Sequence, residues 1–421
     1  MSDTNPPLLP TQTDSVVPPA FVQSNGSGRS SSMRCILVTV LFLAVVQLTI
    51  LAYVYDMDTA QVHQVALSWH EHMFGGTSSH GAGQHDDDLM IGPSSQFTIA
   101  APGDTASFVR ATVLYLPSYT PKFEDEFRWF RRSWIEMQKY EPVSWRTDIV
   151  VYSDGPLPVL EQLNCSMTSR RTTRNEPNRC ILYTNYTSVF STAFPYKFAD
   201  SVNVVGLNGT DLDAYDWILR TDIDTFLTPA FATWKPPTMV VGRGMYSFPD
   251  YSTGERLESI ISKLNMTATT IDNVGSTWYG PTALLRTCAN LSVAIMQYLY
   301  ANEFTAEEKS PEYGIQGWPN WHIGVVSMYG GHIAINHCTR NVAVTKDDSM
   351  LDFPTSSSES PALHAHLHTW QNNLRFSKFS FHVGEYKNED ITKLRPYETI
   401  LDYAMYMALD SRPKTARPLR I

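Results

Sequence analysis

The pattern of apolar and polar residues changes at three points along the 421-residue chain. Residues 1–34 are rich in Pro, Ser, Thr and Gly without a regular apolar spacing, which predicts a disordered tail. Residues 35–55 form an apolar run without a charged residue, and at about 1.5 Å per residue a helix of this length spans the hydrocarbon core of a bilayer. Residues 56–107 contain the low-complexity stretch GGTSSHGAGQHDDD and are predicted to form a flexible stem.

From residue 108 onward, short apolar runs alternate with amphipathic or turn-rich stretches. The segment EDEFRWFRRSWIEMQKY has apolar residues three to four positions apart and is predicted to be a helix. The predicted strands are FVRATVLYLPS, RTDIVVYSD, YDWILRTDIDTFL, which runs into an acidic turn, and TMVVGRGMYSF. Strands that alternate with helices favour an α/β fold with a mixed, mostly parallel sheet flanked by helices. We therefore predict one such domain over residues 108–421.

The charges beside the apolar run predict its orientation in a membrane. Arg29 and Arg34 precede the run, whereas Asp56 and Asp58 follow it. The positive-inside rule then places the short amino-terminal tail in the cytosol and the long carboxyl-terminal part in the lumen. A cleaved signal peptide would need a shorter apolar region, of about 7–15 residues, and a small-residue cleavage site. The sequence thus predicts a single-pass type II membrane protein with a signal anchor.

The formal net charge of −10 is unevenly distributed. Residues 35–109 contain seven acidic residues and neither Lys nor Arg, so about −3 is left for everything after residue 109. Binding to nucleic acid requires a basic patch or stripe, and this distribution provides none. We therefore do not expect a nucleic-acid partner.

Sequons and cysteines agree with a lumenal, oxidising environment. Asn-x-Ser/Thr acceptors for glycans occur at Asn164, Asn185, Asn208, Asn265 and Asn290. Four cysteines follow the apolar run, and an even set in such a compartment favours disulfides. Of the three possible pairings, Cys165–Cys180 and Cys288–Cys338 close modest loops and are predicted. Four buried thiols are the alternative.

A pair of acidic residues is the most informative chemical feature. The apolar run Trp217–Leu219 is predicted to be a strand that ends just before Asp222 and Asp224. Two carboxylates in a turn can face one point, and oxygen ligands suit Mg²⁺ or Mn²⁺. Ligands also bind outside the carboxyl ends of strands in open α/β sheets. This arrangement predicts a divalent cation beside a bound phosphate group.

The signal anchor, the stem, the sequons and the strand-borne Asp-Ile-Asp together resemble the Golgi type II glycosyltransferases with the GT-A nucleotide-sugar fold. The resemblance implies that Asp222 and Asp224 hold Mn²⁺ (or Mg²⁺), which binds the diphosphate of a nucleotide-sugar donor. It also implies a glycan or glycoprotein acceptor and a lumenal catalytic domain on the Golgi membrane. Asp154 falls where such enzymes contact the nucleotide. Lys197 and Arg220 are candidates for neutralising the diphosphate. The alternative is that Lys197 is a surface charge and Arg220 pairs with a nearby carboxylate.

Enzymes of this kind often add a late histidine to the metal ligands. Residues 364, 366 and 368 are all His, and on a strand alternate residues share one face. We expect His366 and His368 as ligands, with His364 third, and Lys378 close enough to reach a phosphate. The alternatives are a polar sheet edge or a different metalloenzyme in which the His-x-His provides the primary ligands.

The acceptor side of the site is less determined by the sequence. Aromatic faces stack on sugars, which makes Trp278, Tyr279, Trp318 and Trp321 candidate platforms. A catalytic base would be Asp250, Glu312 or His322, and the sequence leaves the choice open. Two other functions remain as alternatives: a membrane-tethered carbohydrate-binding protein or pseudo-enzyme, and a lumenal metallohydrolase of phosphate esters.

Overall fold

The computed structural model describes residues 107–118, 121–167, 178–184, 186, 199–206, 211–248, 251–310, 320–369 and 376–413. These residues belong to one unit, Gly92–Ile421. The predicted tail, the predicted membrane helix at 35–55 and the stem up to residue 106 lie outside the described residues. Within the described ranges, every helix is too short or too polar to cross a bilayer.

In the described residues, ten strands form two sheets. The strands are β1 (Phe108–Tyr115), β2 (Trp145–Tyr152), β3 (Cys180–Tyr183), β4 (Trp217–Arg220), β5 (Thr225–Leu227), β6 (Met239–Arg243), β7 (Val274–Pro281), β8 (Val344–Lys346), β9 (Phe353–Pro354) and β10 (His366–His368). The main sheet has the order β3-β2-β1-β4-β7-β6-β8, and the small sheet has the order β5-β10-β9. In the main sheet only β7 runs antiparallel to its neighbours. The predicted mixed, mostly parallel sheet is confirmed.

Helices cover both faces of the main sheet, as predicted for an α/β fold. They are α1 (Pro121–Gln138), α2 (Pro158–Gln162), α3 (Asp200–Gly206), α4 (Pro229–Thr233), α5 (Thr253–Lys263), α6 (Thr282–Asn302), α7 (Val326–Cys338), α8 (Lys378–His382) and α9 (Ile400–Asp410). Successive residues of β4 point to opposite faces. Ile218 packs in a core with α3, α5, α6 and α7, whereas Leu219 packs in a second core with α1, α4 and α9.

The order of the strands creates a crevice at the carboxyl end of β4. Strand β1 pairs in parallel with β2 on one side and with β4 on the other. From β1 the chain continues to β2 and β3 on one side of the sheet and then crosses to β4 on the other side of β1. The reversal of strand order between β1 and β4 is a switch point, and open α/β sheets bind ligands at such points. Because β4 ends at Arg220, the carboxylates of Asp222 and Asp224 follow it at this edge. The small sheet then brings β10 back to β5, with His368 opposite Thr225.

A buried arginine fixes the segment that follows β5. Arg110 on β1 has no solvent exposure, and its guanidinium donates hydrogen bonds to the carbonyls of Phe231, Ala232 and Trp234 at 2.7, 3.0 and 2.9 Å. These carbonyls lie at the carboxyl end of α4, where a helix leaves acceptors without partners of its own. Arg110 thus holds α4, and with it the end of β5, against the main sheet.

Both predicted cysteine pairs are confirmed. Cys165 and Cys180 form a disulfide with a Cα–Cα distance of 4.6 Å, and it ties the segment after α2 to the first residue of β3. Cys288 and Cys338 form the second, with a Cα–Cα distance of 5.6 Å, and it joins α6 to the end of α7. Two structural disulfides are typical of proteins from oxidising compartments.

Candidate metal centre

Two carboxylates and one imidazole converge at the carboxyl edge of β4. Asp222, Asp224 and His368 each direct one ligand atom into a group whose atoms all lie within 4.8 Å of one another. The aspartates come from the turn between β4 and β5, and the histidine comes from β10 through its antiparallel pairing with β5. We refer to these three side chains as the metal centre. Carboxylate oxygens and an imidazole nitrogen are donors that suit Mn²⁺ and, less strongly, Mg²⁺.

Asp224 is the buried carboxylate of the centre. Its Oδ1 lies 3.4 Å from Nε2 of His368, and its Oδ2 lies 2.5 Å from the ammonium of Lys378. The hydroxyl of Thr369 also donates to Oδ2 at 3.1 Å. Burial opposes ionisation of Asp224, but the positive charges of His368 and Lys378 outweigh it and hold the pKa of this carboxyl well below its usual range. Asp224 is therefore a charged acceptor at neutral pH.

Asp222 is the open carboxylate of the centre, with a side chain that is 33% exposed. Its Oδ1 lies 3.6 Å from Nη2 of Arg220. Arg220 itself is buried against the ring of Trp278, and its guanidinium donates to the hydroxyl of Ser201 at 2.5 Å. In this structure Arg220 therefore contacts a carboxylate of the centre, as the second interpretation of this residue anticipated. Asp222 gives the centre a side that an incoming ligand can reach.

The last two histidines of the His-x-His-x-His run, His366 and His368, make different contacts. His368 lies between two carboxylates, 3.4 Å from Asp224 and 3.2 Å from Asp352. Burial lowers the pKa of His368, but these carboxylates outweigh it and raise that pKa well above its ordinary value. His366 instead uses both ring nitrogens elsewhere. Its Nδ1 accepts from the backbone N–H of Asp352 at 3.2 Å, and its Nε2 lies 2.8 Å from the hydroxyl of Thr221.

His366 is therefore not one of the side chains that the structure brings together at the metal centre. It is fully buried, and burial lowers its pKa to about 4. His364 also lies apart, since its ring stacks on Phe353 with a centroid distance of 3.5 Å and its Nε2 faces Glu359. The sequence favoured His366 and His368 as ligands, with His364 third, but of the three only His368 joins Asp222 and Asp224 at the metal centre.

The ammonium of Lys378, which the sequence predicts to reach a phosphate, lies beside Asp224 of the metal centre. Burial lowers the pKa of its ammonium, yet Asp224, Glu126 and Asp222 outweigh burial and raise that pKa. On the next turn of α8, His382 faces Glu126 of α1 with 3.0 Å between Nε2 and Oε1. Helix α8 thus docks through two polar contacts, one of them directly on the metal centre.

The remaining predicted site residues lie elsewhere or outside the described ranges. Asp154 is exposed just beyond β2, and its Oδ1 accepts from the backbone N–H of Ser118 at 2.8 Å. His322 is buried, and its Nδ1 accepts from the N–H of Gly324 at 3.2 Å, so it caps the short 3₁₀ turn Ile323–Val325. Burial lowers the pKa of His322. Lys197, Asp250 and Glu312 lie outside the described residues.

Comparison with known proteins adds a family to this geometry. A family model described as Domain of unknown function (DUF7164) matches residues 104–420. The chain belongs to the DUF7164 family. No curated protein matches the sequence. The match begins close to β1, which starts at Phe108, so the DUF7164 domain includes both sheets and the metal centre.

The aromatic residues proposed as sugar platforms are mostly part of the core of the DUF7164 domain. Trp278, Tyr279 and Trp321 are 1%, 0% and 3% exposed. Trp278 donates to the carbonyl of Gly275 and Tyr279 accepts from Arg110, so their polar atoms are used internally. The expectation that these three rings form an exposed sugar platform is therefore wrong. Trp318 lies outside the described residues.

Three side chains that contact the metal centre or His366 were not predicted from the sequence of the DUF7164 domain. Thr369 donates to Asp224, Thr221 contacts His366, and Asp352 contacts His368. Thr369 and Thr221 directly adjoin predicted ligands in sequence, and that proximity was an available signal. Asp352 lies in the segment LDFP, 16 positions before His368, and no local pattern distinguishes it from other acidic residues.

Proposed function

We propose that this protein is a metal-dependent glycosyltransferase that moves a sugar from a nucleotide-diphosphate sugar to a lumenal glycan or glycoprotein. The observation that carries the proposal is the convergence of Asp222, Asp224 and His368 at the carboxyl end of β4. This point adjoins the switch between β1 and β4, where α/β sheets bind their ligands. A phosphorylated ligand that bound in the crevice would meet the centre directly.

The residues present fit a resident divalent cation. Asp222, Asp224 and His368 would hold it, with the exposed side of Asp222 left open for a substrate oxygen. When bound, a Mn²⁺ or Mg²⁺ ion supplies positive charge to the diphosphate, which becomes more negative as the sugar–phosphate bond breaks. Lys378 would supply a second positive charge at the same place, since its ammonium already lies 2.5 Å from Asp224.

Features further along the same edge of the sheet suit the nucleoside part of such a donor. Asp154 follows β2 and is exposed, so its carboxylate is available to a ribose or a base. Tyr183 ends β3, is only partly buried, and stacks on Tyr152 with 4.9 Å between ring centroids. An aromatic ring at this edge of the sheet would offer a stacking surface to a nucleobase.

The GT-A fold, the Golgi membrane and the type II orientation belong to the same proposal. The mixed sheet with helices on both faces and the two disulfides are compatible with each of them. The catalytic base stays a prediction, with Asp250, Glu312 and His322 as its candidates.

Thermal unfolding of the full-length protein with nucleotide sugars tests this proposal. We expect stabilisation by one nucleotide family that requires Mn²⁺, since ligand at 100 times its Kd stabilises by about 2.7 kcal/mol. Asp224→Asn should abolish the effect. Asp213→Asn is the matched control, because Asp213 belongs to an Asp-x-Asp of the same spacing but is 67% exposed and pairs with Arg286.

Three other outcomes would contradict the proposal. Stabilisation by simple phosphate esters without preference for a base would indicate a metallohydrolase. Stabilisation by free glycans alone, without turnover of any nucleotide sugar, would indicate a carbohydrate-binding protein. An Asp224→Asn variant that responds like the wild type would remove the metal centre from the function.

A further inference from the structure

Asp352 has an unusual backbone conformation and a crowded, buried setting. Its φ of 56° lies in the left-handed region, which Asp and Asn tolerate better than most residues. The residue is 4% exposed, and its carboxylate lies directly over Gly242 of β6. Any side chain at position 242 would collide with Oδ2 of Asp352. Gly242 therefore provides the space that the carboxylate occupies.

The polar groups of Asp352 connect the two sheets. Oδ1 accepts from the hydroxyl of Thr277 on β7 at 2.5 Å and faces Nδ1 of His368 on β10 at 3.2 Å. The backbone N–H donates to Nδ1 of His366, also on β10, at 3.2 Å. One residue thus contacts both histidines of the small sheet while its carboxylate is anchored on the main sheet.

These contacts determine which ring nitrogens carry a proton. The backbone N–H of Asp352 can only donate, so Nδ1 of His366 is an acceptor and its proton is on Nε2, where it meets the hydroxyl of Thr221. That hydroxyl donates in turn to the carbonyl of Asp222 at 3.1 Å. The carboxylates on both sides of His368 can only accept, so Nδ1 of His368 donates to Asp352, and Nε2 is the nitrogen that faces Asp224.

We propose that Asp352 is the positioning residue of the metal centre. Through its carboxylate it orients His368 so that Nε2 points at the aspartates, and through its backbone and His366 it holds the turn that carries Asp222. A carboxylate behind a ligating histidine fixes the tautomer and the ring orientation, and its loss costs about 10- to 100-fold in metal affinity. This inference rests on the metal centre of the proposed function.

Asp352→Asn in the full-length protein is the decisive variant. Asparagine keeps the size, the tolerance of the left-handed conformation and one acceptor oxygen, but it removes the charge and adds a donor. We expect Mn²⁺ affinity, measured by electron paramagnetic resonance titration, to fall about 10- to 100-fold. With Mg²⁺ bound, we also expect the ring ¹⁵N shifts of His368 to show loss of the fixed Nδ1–H form, which a purely structural role for Asp352 would leave unchanged.

Two further variants complete the test. Asp348→Asn is the control, because Asp348 lies four positions earlier, is 57% exposed and pairs with Arg243 at 3.3 Å; it should bind Mn²⁺ as the wild type does. Thr277→Val removes one hydrogen bond to Oδ1 of Asp352 and should weaken Mn²⁺ binding about fivefold, the equivalent of one hydrogen bond. This second variant decides the question if Asp352→Asn does not fold.

The outcomes separate the two proposals. Wild-type protein that binds no Mn²⁺ would overturn the metal centre and the proposed function with it. A second outcome would overturn the positioning role of Asp352 alone. In it, the wild-type protein binds Mn²⁺, and Asp352→Asn has the same Mn²⁺ affinity and the same His368 ring shifts as the wild type. Thr277→Val takes the place of Asp352→Asn if the latter does not fold.

Discussion

The ammonium of Lys378 lies 2.5 Å from Oδ2 of Asp224, although 154 positions separate the two residues in the chain. This pair attaches α8 to the metal centre and places a positive charge beside the proposed diphosphate. We predict that Lys378→Met weakens binding of a nucleoside diphosphate in the presence of Mn²⁺ by about tenfold, the loss of one charge-assisted hydrogen bond. Isothermal titration calorimetry measures the affinity of each variant for the nucleoside diphosphate. Lys393→Met is the control, since Lys393 is 79% exposed, and equal affinity in both variants would refute the role of Lys378.

The two histidines of β10 should respond differently to the same substitution. His368→Gln removes a proposed metal ligand that is partly exposed, so Mn²⁺ affinity should fall much more than stability. His366→Gln disturbs a fully buried ring with two partners, so the free energy of unfolding should fall by about 1–3 kcal/mol. Urea denaturation and Mn²⁺ titration of both variants check this. A large loss of Mn²⁺ affinity in His366→Gln together with a large loss of stability in His368→Gln would show that His366, and not His368, binds the metal.

Arg110 should be among the most important residues for stability. Its buried guanidinium donates to three carbonyls around α4, to the hydroxyl of Thr147 and to that of Tyr279. Arg110→Met leaves these acceptors without their donor in the core, and we expect a loss of about 3–5 kcal/mol. Arg243→Met is the matched control, because Arg243 is 53% exposed and its pairing with Asp348 contributes at most about 1 kcal/mol. Denaturant midpoints that agree for the two variants would contradict this.

The two disulfides should differ in their contribution to stability. In the chain-entropy description a crosslink stabilises more when it closes a longer loop. The separations are 15 residues for Cys165–Cys180 and 50 for Cys288–Cys338. We expect replacement of both cysteines by alanine to cost about 3 kcal/mol for the first pair and about 4 kcal/mol for the second. Guanidinium denaturation without a reductant measures both, and a larger loss for the shorter loop would show that loop entropy is not the deciding factor.

Glu136 should make stability sensitive to acid. Burial raises the pKa of this carboxyl, but Lys139, Tyr397 and Arg132 outweigh burial and hold the pKa below its ordinary value of 4.5. A depressed pKa means that the stabilising contribution is complete above about pH 4.5 and is lost as the pH falls through the lower pKa of the folded state. Wild-type protein should therefore lose more stability than Glu136→Gln between pH 6 and pH 3, because this interval includes the ordinary pKa of 4.5 and values below it.

A matched control for this pH dependence is Glu398→Gln. The side chain of Glu398 is 64% exposed and pairs with Arg395 at the surface. Its variant should follow the wild-type curve of denaturation midpoint against pH. If Glu136→Gln follows that curve too, the acid sensitivity comes from other carboxyls.

The sequence predicted what depends on local pattern. The strands around Val113, Val150 and Leu219, the first long helix and both cysteine pairs follow from periodicity and loop length, and the structure confirms them. The place of Asp222 and Asp224 after β4 also follows from local pattern, because a strand and the turn after it are contiguous in the chain.

What the sequence missed depends on contacts between distant segments. His366 and His368 share one face of β10, and only the pairing with β5 and the position of Asp352 decide which ring meets Asp224. The buried state of Trp278 has a similar origin, since its ring packs on Gly331, far along the chain in α7. No property of the segment STWYGP distinguishes a core tryptophan from one that stacks on a ligand.

The pairing of β10 with β5 also determines how late in synthesis the metal centre can form. Thr369 contacts Asp224 from 145 positions further along the chain. Both aspartates therefore leave the ribosome well before the histidine, the threonine and the lysine that surround them. Long-range strand pairing of this kind forms slowly. A nascent chain that has emerged only through α7 has its carboxylates in place beside β4 and none of the side chains that balance their charge from β10 and α8.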